Sequence, residues 1–347
     1  MQIKEIKVDG YEKIVEAELV PGVTSIIAVH NTKLGPALGG CRFYNYATRE
    51  DGLRDVLRLS EGMSYKSAMA DLPLGGGKSI IIGDPSKVKT KALLETFGDF
   101  VESLNGKYVT AKDVGVEVED LDVIATRTQH VRGTSAKDSS GDPSPVTAYG
   151  VYQGIRASAQ FKWNSPSLKG KTIIVQGLGH VGLMTAKHLI EDGATVLACE
   201  LNQDNLDRAV KNYGIKPIGL DDWKTTAADI FCPCAMGAIL NETTIAQLAK
   251  NGIQIVAGGA NNQLLDVEKD GQRIKDAGIL YAPDYIINAG GVINITCEIL
   301  NYSSSKAVEM TSKIFDTTMA IFERAKKENL PTAKVSLIMA REKLGLA

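Results

Sequence analysis

The chain has 347 residues, of which 44% are hydrophobic and 23% charged, a composition typical of globular proteins. A chain of this length exceeds what one hydrophobic core usually holds, so we expect two domains. Lys and Arg together number 39 against 41 Asp and Glu, which argues against nucleic acid or an anionic membrane as the partner. No apolar run reaches the roughly 18 residues of a membrane-spanning helix. The expected partners are small molecules or further copies of the chain.

The amino terminus lacks the charged and then apolar segments of a secretory signal peptide. Cys232 and Cys234 are the only cysteines that lie close in sequence, and Cys-Pro-Cys has neither zinc-knuckle nor thioredoxin-like spacing. We therefore expect free thiols, no metal site and a reducing, cytoplasmic location.

The first third of the chain predicts alternating strands and helices. Residues 23–30 are rich in β-branched side chains and predict a strand. Thr48 is a favourable cap for a helix that starts there. Residues 79–82 predict a short strand that follows a glycine run, and residues 93–104 predict a further helix.

A change of composition marks the expected domain boundary. Residues 135–145 are dominated by Ser, Gly, Asp and Pro, which is typical of a hinge. We expect a substrate-binding and catalytic α/β domain over residues 1–134 and a cofactor-binding domain over residues 135–327. A terminal helix over residues 328–347 is expected to pack back near the first domain.

The second half alternates strands with helices. Strands are predicted at 172–176 and 195–199, a helix at 183–190 and a short apolar strand at 253–257. Strands that alternate with helices favour a parallel, doubly wound α/β sheet of the Rossmann type. Apolar spacing over residues 305–328 predicts a structural helix.

A glycine-rich turn follows the strand at 172–176. Gly177, Gly179 and Gly182 form Gly-x-Gly-x-x-Gly, in which His180 and Val181 occupy the variable positions. The first glycine allows the tight turn, the second allows a pyrophosphate to approach, and the third allows helix and strand to pack closely. Alone, the motif is also compatible with a purely structural turn.

Glu200 strengthens the prediction of a dinucleotide site. It ends the next strand, about 20 residues after the turn, where an acidic residue accepts hydrogen bonds from the adenosine ribose. Its charge would repel a 2′-phosphate, so the expected cofactor is NAD rather than NADP. The alternative is a solvated strand end.

Two lysines and one aspartate are candidates for chemistry. Lys66 follows Gly-Met-Ser-Tyr, and Lys78 follows the three glycines of residues 75–77. Three glycines are costly to order, which favours a backbone pressed against a ligand, and burial disfavours the charged form of a lysine. Asp113 is a candidate proton carrier. Taken singly, each residue is also compatible with an ordinary turn or a solvated side chain.

These segments occur in an order that resembles the glutamate/leucine/phenylalanine/valine dehydrogenase family, with leucine-type members closest in pattern. The resemblance spans roughly residues 25–330 and rests on residues 34–40, 62–66, 75–78, 110–115, 177–182, 260–263 and 288–291.

The resemblance implies an NAD-dependent, reversible oxidative deamination of an L-amino acid to a 2-oxo acid and ammonia. It implies that Lys66 holds the substrate α-carboxylate, that Lys78 activates water and that Asp113 handles protons on the amine. Four further residues resemble positions that contact nicotinamide, its ribose or the substrate: Thr147, Asn261, Asn262 and Asn288.

The resemblance also implies a preference for leucine, isoleucine and valine. Glutamate-selective members carry a lysine where this chain has Leu38, next to Gly39. Ala111, Val292 and Ile295 match positions that line the side-chain pocket, and with Leu38 they would form an aliphatic slot. A second substrate carboxylate would then remain unpaired, at a cost of several kcal/mol if buried.

Two alternatives remain at this stage. One is an aromatic amino-acid dehydrogenase of the same family, because one methylene is worth only about 1–3 kcal/mol in such a pocket. The other is a catalytically silent NAD-binding regulator on the same fold. The family resemblance further implies a homo-oligomer, a dimer or an octamer.

Overall fold

The computed structural model describes residues 1–136, 139 and 141–346. Two compact units are present: Met1–Gly141 with Ile295–Tyr302 and Ala340–Ala347, and Asp142–Asn294 with Ser303–Met339. The units divide after residue 141, whereas the sequence placed the boundary after residue 134. The predicted hinge, 135–145, includes residues 137, 138 and 140, which lie outside the described residues.

Unit 1 is built on a mixed sheet of order β1-β2-β3-β5-β4-β6. The pairs β1–β2, β2–β3 and β3–β5 are antiparallel, whereas the pairs β5–β4 and β4–β6 are parallel. The elements are β1 (Ile3–Ile6), β2 (Lys13–Val20), β3 (Val23–Asn31), β4 (Ala37–Tyr44), α1 (Arg49–Met69), β5 (Gly75–Ile82), α2 (Pro85–Val88), α3 (Lys91–Glu102), β6 (Tyr108–Lys112) and α4 (Val118–Ala125).

Each face of this sheet has its own core. Val56 of α1 packs with Ile80 of β5, so we call this side the α1 face. The opposite face packs Phe97 of α3 against Ile81 of β5 and Tyr108 of β6. Because side chains alternate along a strand, the α1 face also receives Leu38, Arg42, Lys78 and Ala111.

The glycines of residues 75–77 lie inside strand β5, not ahead of it as the sequence suggested. A Cβ on Gly76 would lie 2.0 Å from the backbone nitrogen of Ser64 in α1, and one on Gly75 would lie 2.0 Å from the carbonyl oxygen of Asn31. The glycine run is therefore required by close packing within the protein, which gives a reason for these glycines other than the expected contact with a ligand.

Unit 2 contains a parallel sheet of order β12-β11-β10-β7-β8-β9. Its elements are α5 (Ser144–Trp163), β7 (Thr172–Gln176), α6 (His180–Glu191), β8 (Thr195–Cys199), α7 (Gln203–Tyr213), β9 (Lys216–Pro217), β10 (Ile230–Pro233), α8 (Glu242–Lys250), β11 (Ile255–Val256), α9 (Val267–Asp276), β12 (Leu280–Tyr281) and α10 (Asp284–Ile287). The strand order reverses between β7 and β10, where open α/β sheets bind ligands. The predicted doubly wound fold is confirmed.

The last third forms α11 (Gly290–Ile299), α12 (Ser304–Ser312), α13 (Ile314–Glu328) and α14 (Thr332–Leu344). The single helix predicted over 305–328 is wrong, because the chain breaks at Lys313 between α12 and α13. At the end of α14, Arg341 Nη1 lies 3.5 Å from the Tyr65 hydroxyl and Lys343 pairs with Asp71, so these residues anchor on α1 in unit 1.

The strongest local patterns predicted their elements closely. The strands at 172–176 and 195–199 are confirmed, and the strand at 23–30 extends by one residue. Thr48 caps α1 by accepting a hydrogen bond from the Asp51 amide at 3.1 Å. The helix after the first two glycines starts at residue 180 rather than 183, because the end of the glycine motif forms the first turn of the helix. Among the described residues, no helix is long and apolar enough to cross a membrane.

The packing of α1 on β5 predicts opposite effects for two glycines. Gly76→Ala should lower the free energy of unfolding by about 1–3 kcal/mol, because the added methyl group collides with the α1 backbone. Gly62→Ala is the matched control, since a Cβ there has no neighbour within 4 Å among the described atoms and α1 should gain roughly 0.5–1 kcal/mol. Urea denaturation measures both; equal effects would contradict the packing argument.

Candidate active site

An ion pair between Lys78 and Asp113 lies on the α1 face of unit 1. Lys78 is in the middle of β5, and its Nζ contacts Asp113 Oδ2 directly after β6. Lys78 is only 7% exposed, so this ammonium is largely withdrawn from water. The structure thus brings together two of the three residues that the sequence selected for chemistry.

Arg42 is a second cation beside Asp113, and the sequence analysis missed it. Its Nε lies 3.4 Å from Asp113 Oδ2, while its Nη1 donates to Asp55 Oδ2 at 2.8 Å. Asp55 is held in turn by the Tyr46 hydroxyl at 2.7 Å and by Arg58 at 3.0 Å. The signal available was the position of Arg42 two residues after Gly40, on the face that carries Lys78.

The two cations set the charge of Asp113. Burial raises the pKa of its carboxyl, but Lys78 and Arg42 outweigh burial and hold the pKa below its usual value. Asp113 Oδ2 is buried between the Lys78 and Arg42 side chains. In the free protein, Asp113 is therefore a carboxylate.

Two glycines fix the position of this carboxylate. Gly115 has φ of +79° in the turn after β6, and a Cβ there would lie 2.1 Å from the carbonyl oxygen of Phe43. A Cβ on Gly40 would lie 2.9 Å from Asp113 Cβ. Asp113 thus lies directly against β4, and a larger residue at either glycine would displace it.

Lys66, the third predicted catalytic residue, is half-buried on α1. The helix segment that carries it is anchored by Ser64, whose Oγ lies 2.8 Å from His30 Nδ1 of β3, and by Ser67, which donates to the Gly75 carbonyl at 3.4 Å. Burial lowers the pKa of the His30 imidazole, which favours its neutral form. Lys66 therefore projects from a helix held rigidly on the Lys78 face.

The predicted pocket residues are apolar and mostly buried. Leu38 and Ala111 lie on adjacent parallel strands and share the α1 face, whereas Val292 and Ile295 lie three residues apart on α11. Gly39 is required by close packing, because a Cβ at this position would lie 1.7 Å from the Gly77 carbonyl oxygen.

The glycine turn of unit 2 provides space for a phosphate group. Gly177 has φ of +92°, and a Cβ on Gly182 would lie 2.0 Å from the Gly177 carbonyl oxygen, so both are required by the fold. Gly179 differs, since a Cβ there meets no described atom within 4 Å. It precedes α6, whose first turn has no side-chain cap and offers backbone N–H groups to an anion.

Glu200 joins the turn to the end of β8. Its Oε2 accepts a hydrogen bond from the Leu178 amide at 2.5 Å and its Oε1 from the Asn202 amide at 2.8 Å. The carboxylate is thereby fixed beside the glycine turn, the position of a ribose-binding acid. His180 is exposed at the start of α6, and its Nδ1 lies 3.9 Å from Asp142.

Two of the remaining predicted residues of unit 2, Asn261 and Asn288, are hydrogen-bonded to each other. Asn288 donates to Asn261 Oδ1 at 2.8 Å and to the Gly259 carbonyl at 3.2 Å. A Cβ on Gly259 would lie 3.0 Å from Val181, which connects this pair to the glycine turn. Asn262 has φ of +52° in the same loop.

Thr147 lies close to the start of α11. Its Oγ1 would lie 3.3 Å from a Cβ on Gly291, three residues after Asn288. Within unit 2, these contacts link Thr147 to the start of α11 and Asn288 to Asn261. Among the described residues, no cluster of His, Cys, Asp and Glu side chains could hold a metal ion.

Comparison with known proteins identifies the family. The Glu/Leu/Phe/Val dehydrogenase dimerisation domain matches residues 14–130, and the Glutamate/Leucine/Phenylalanine/Valine dehydrogenase domain matches residues 140–204 and 200–346. The chain belongs to the Glu/Leu/Phe/Val dehydrogenase family. It is an amino-acid dehydrogenase, and the Rossmann-type unit implies a nicotinamide cofactor.

Individual relatives agree with this assignment. Leucine dehydrogenase of Thermoactinomyces intermedius is 46% identical over 96% of this chain and 91% of that protein. Valine dehydrogenase of Streptomyces virginiae is 44% identical over 96% of this chain and 94% of that protein. The crystal structure of L-tryptophan dehydrogenase from Nostoc punctiforme superposes with a TM-score of 0.87 at 38% identity, covering 97% of this chain and 96% of that one.

The lowered pKa of Asp113 predicts a pH-dependent contribution to the stability of this family member. The stabilisation is present above the usual pKa near 3.8 and is lost as the pH falls through the folded-state value. Asp113→Asn should therefore cost about 1–3 kcal/mol at pH 7 and progressively less below pH ~4. Urea unfolding of both proteins between pH 3 and 7 measures this.

Asp99→Asn is the control for that experiment, because Asp99 pairs with Arg127 on the exposed surface and should contribute less than about 1 kcal/mol. A cost for Asp113→Asn that stays constant across the pH range would contradict the assigned charge.

The open space at Gly179 predicts a binding defect without a folding defect. Gly179→Ala keeps an allowed backbone conformation but fills the approach to the α6 terminus, so NADH affinity should fall roughly tenfold or more. Gly182→Ala should instead lower thermal stability, because its methyl group meets the Gly177 carbonyl. Fluorescence titration and thermal unfolding separate the two effects; unchanged affinity in Gly179→Ala would place the dinucleotide elsewhere.

Proposed function

We propose that the chain catalyses the NAD-dependent, reversible oxidative deamination of leucine, isoleucine or valine to the 2-oxo acid and ammonia. The observation that carries the proposal is the buried Lys78–Asp113 pair on the same face as the apolar Leu38. The pair offers charges for a reacting amine, and the apolar neighbour selects an aliphatic side chain.

Two charges suit the common part of an amino acid. Lys66, half-buried on α1, binds the α-carboxylate as an ammonium. Asp113 is ionised in the free protein and accepts a hydrogen bond or a proton from the amine. Because both groups are positioned by packed elements, they orient the substrate without reorganisation during the reaction.

Lys78 acts on water in this proposal. NAD, when bound, accepts the hydride from the substrate Cα. In its neutral form, Lys78 takes a proton from the water that adds to the oxidised carbon and returns that proton to the amine nitrogen as the carbon–nitrogen bond breaks. Its 7% exposure excludes other water from the Nζ, and Asp113 holds that atom in place.

The side-chain preference rests on the absence of a positive charge at Leu38. A glutamate substrate would bring a second carboxylate beside a side chain that cannot pair with it, which costs several kcal/mol when buried. Ala111 adds a methyl group on the face of unit 1 that carries Leu38. The leucine and valine dehydrogenases among the relatives, 46% and 44% identical, support this preference.

The cofactor is NAD rather than NADP in this proposal. Glu200 is fixed by two backbone amides, so it cannot move away from a 2′-phosphate without losing both hydrogen bonds. Thr147, Asn261, Asn262 and Asn288 position the nicotinamide half, and His180 and Val181 line the phosphate turn. The amino-terminal match to a dimerisation domain supports a homo-oligomer, a dimer or an octamer.

An aromatic substrate is the second candidate. It is favoured by the TM-score of 0.87 with L-tryptophan dehydrogenase at 38% identity. The two candidates share the ionic groups and differ only in the volume of the slot.

The deciding experiment measures NADH formation at alkaline pH with L-Leu, L-Ile, L-Val, L-Phe, L-Trp and L-Glu, and repeats it with NADP. We expect activity with the three aliphatic substrates and NAD. Activity confined to Phe or Trp would retain the chemistry and overturn the pocket assignment. Folded protein that binds NADH but acts on none of the six would indicate a regulator.

Substitution of Lys78 separates its role as a base from its role as a charge. Lys78→Ala and Lys78→Arg should both lower kcat by roughly 10²–10⁴-fold, because arginine keeps the charge beside Asp113 but does not release its proton. NADH binding should be unchanged, since the dinucleotide residues lie in unit 2.

Lys112→Ala is the matched control, because Lys112 pairs with Glu117 on the exposed surface two strands from Lys78. Steady-state kinetics with L-Leu measures all three variants. Near-normal kcat in Lys78→Arg would mean that Lys78 supplies only charge.

A further inference from the structure

Two cysteines lie at the point where the sheet of unit 2 reverses its strand order. Cys232 is inside β10, and Cys234 directly follows that strand. The Cys234 amide donates to the Gln176 carbonyl at 2.7 Å, immediately before the glycine turn. This Cys-Pro-Cys segment is thus joined to the turn proposed to hold the cofactor phosphates.

This segment is closely packed against the glycine turn. A Cβ on Gly177 would lie 2.7 Å from the Ala235 Cβ, and one on Gly182 would lie 3.1 Å from the Cys234 Cβ. Any displacement of Cys234 toward the turn therefore changes the backbone that approaches the phosphates.

The two thiols are close to each other and differ in burial and in pKa. Their sulfur atoms are 3.7 Å apart, with Cys232 fully buried and Cys234 half-buried. The Gly259 amide donates to Cys234 Sγ at 3.5 Å. The contact with Cys232 lowers the pKa of Cys234 despite burial, and the same contact and burial raise the pKa of Cys232.

These features give the pair distinct chemical roles. A thiolate is the nucleophilic form of cysteine, and Cys234 is both the less buried residue and the one whose sulfur receives a backbone N–H. Cys232 sulfur is within contact distance of Cys234 sulfur. The remaining cysteines, Cys41, Cys199 and Cys297, are buried and form no disulfide.

We propose that Cys232 and Cys234 form a redox modification site, in which a hydroperoxide converts the dithiol to an intramolecular disulfide that weakens dinucleotide binding. The effect on binding rests on the proposed cofactor site; the thiol chemistry does not.

The reaction balances with hydrogen peroxide as the oxidant. The Cys234 thiolate attacks one peroxide oxygen, the O–O bond breaks, and hydroxide leaves to take up a proton, which gives a sulfenic acid. Cys232 sulfur then attacks Cys234 sulfur, the S–O bond breaks, and the thiol proton leaves with the hydroxyl group as water. Two thiols are oxidised, and one peroxide is reduced to two waters.

Disulfide formation must move the backbone at this point. Cα atoms two residues apart in an extended strand are separated by roughly 7 Å, the upper limit for a disulfide. The chain therefore has to bend between Pro233 and Cys234, where Cys234 and Ala235 already touch the glycine turn. That bend disturbs Gly177 and Gly182 together.

The test treats reduced wild-type protein with a small excess of hydrogen peroxide and analyses it by peptide mass spectrometry and by NADH fluorescence titration. We expect the peptide that contains residues 232–234 to lose two hydrogens and the Kd for NADH to rise roughly tenfold. Dithiothreitol should restore both values, and bound NADH should slow the oxidation.

Variants assign the effect to the pair. Cys232→Ser and Cys234→Ser should each prevent the reversible loss of affinity. Cys199→Ser is the matched control, since Cys199 is a buried thiol at the end of β8 and should leave the response unchanged.

Three results would overturn the inference: no disulfide within the 232–234 peptide, a disulfide that leaves the Kd for NADH unchanged, or an undiminished response in Cys232→Ser. Failure of the reduced protein to bind NADH at all would contradict the proposed function instead, and the mass measurement would still decide whether the disulfide forms.

Discussion

The short distance between helix α1 and strand β5 is the constraint on which the catalytic unit depends. Gly76 allows the helix backbone to approach the strand, and Ser64 and Ser67 supply small side chains on the helix side. Lys66 on the helix and Lys78 on the strand are thereby carried by two elements whose separation is set by backbone contact. Because backbone atoms cannot rearrange as side chains do, this geometry is rigid.

Charge is concentrated around one carboxylate on that face. Asp113 lies between Lys78 and Arg42, and Arg42 is itself shared with Asp55. Two cations around one half-buried carboxylate keep it ionised despite desolvation. In the proposed function, these charges bind the α-carboxylate and the amine that every amino acid carries.

In unit 2, the three glycines of the Gly-x-Gly-x-x-Gly turn are explained in three different ways. Gly177 is required by its positive φ, Gly182 by contact with a carbonyl, and Gly179 by no contact within the described structure. Only the last leaves space that a ligand could fill. Cys234 packs on Gly182 and the next residue, Ala235, packs on Gly177, so thiol chemistry at Cys234 would act on the turn through the two structural glycines.

The sequence by itself determined the features that are local or carried by motifs. The glycine turn, Glu200, the Thr48 cap and the family with its Lys66, Lys78 and Asp113 motifs all follow from neighbouring residues. Only the tertiary structure decided which residues meet across elements: Arg42 reaches Asp113 over 71 positions, and the glycines of residues 75–77 pack against α1 and three other strands of the sheet. The break at Lys313 could not be predicted from the sequence either, because the helical spacing of apolar residues continues across the break. Local patterns encode elements, whereas contacts between elements depend on sheet order and register, which one-dimensional spacing does not contain.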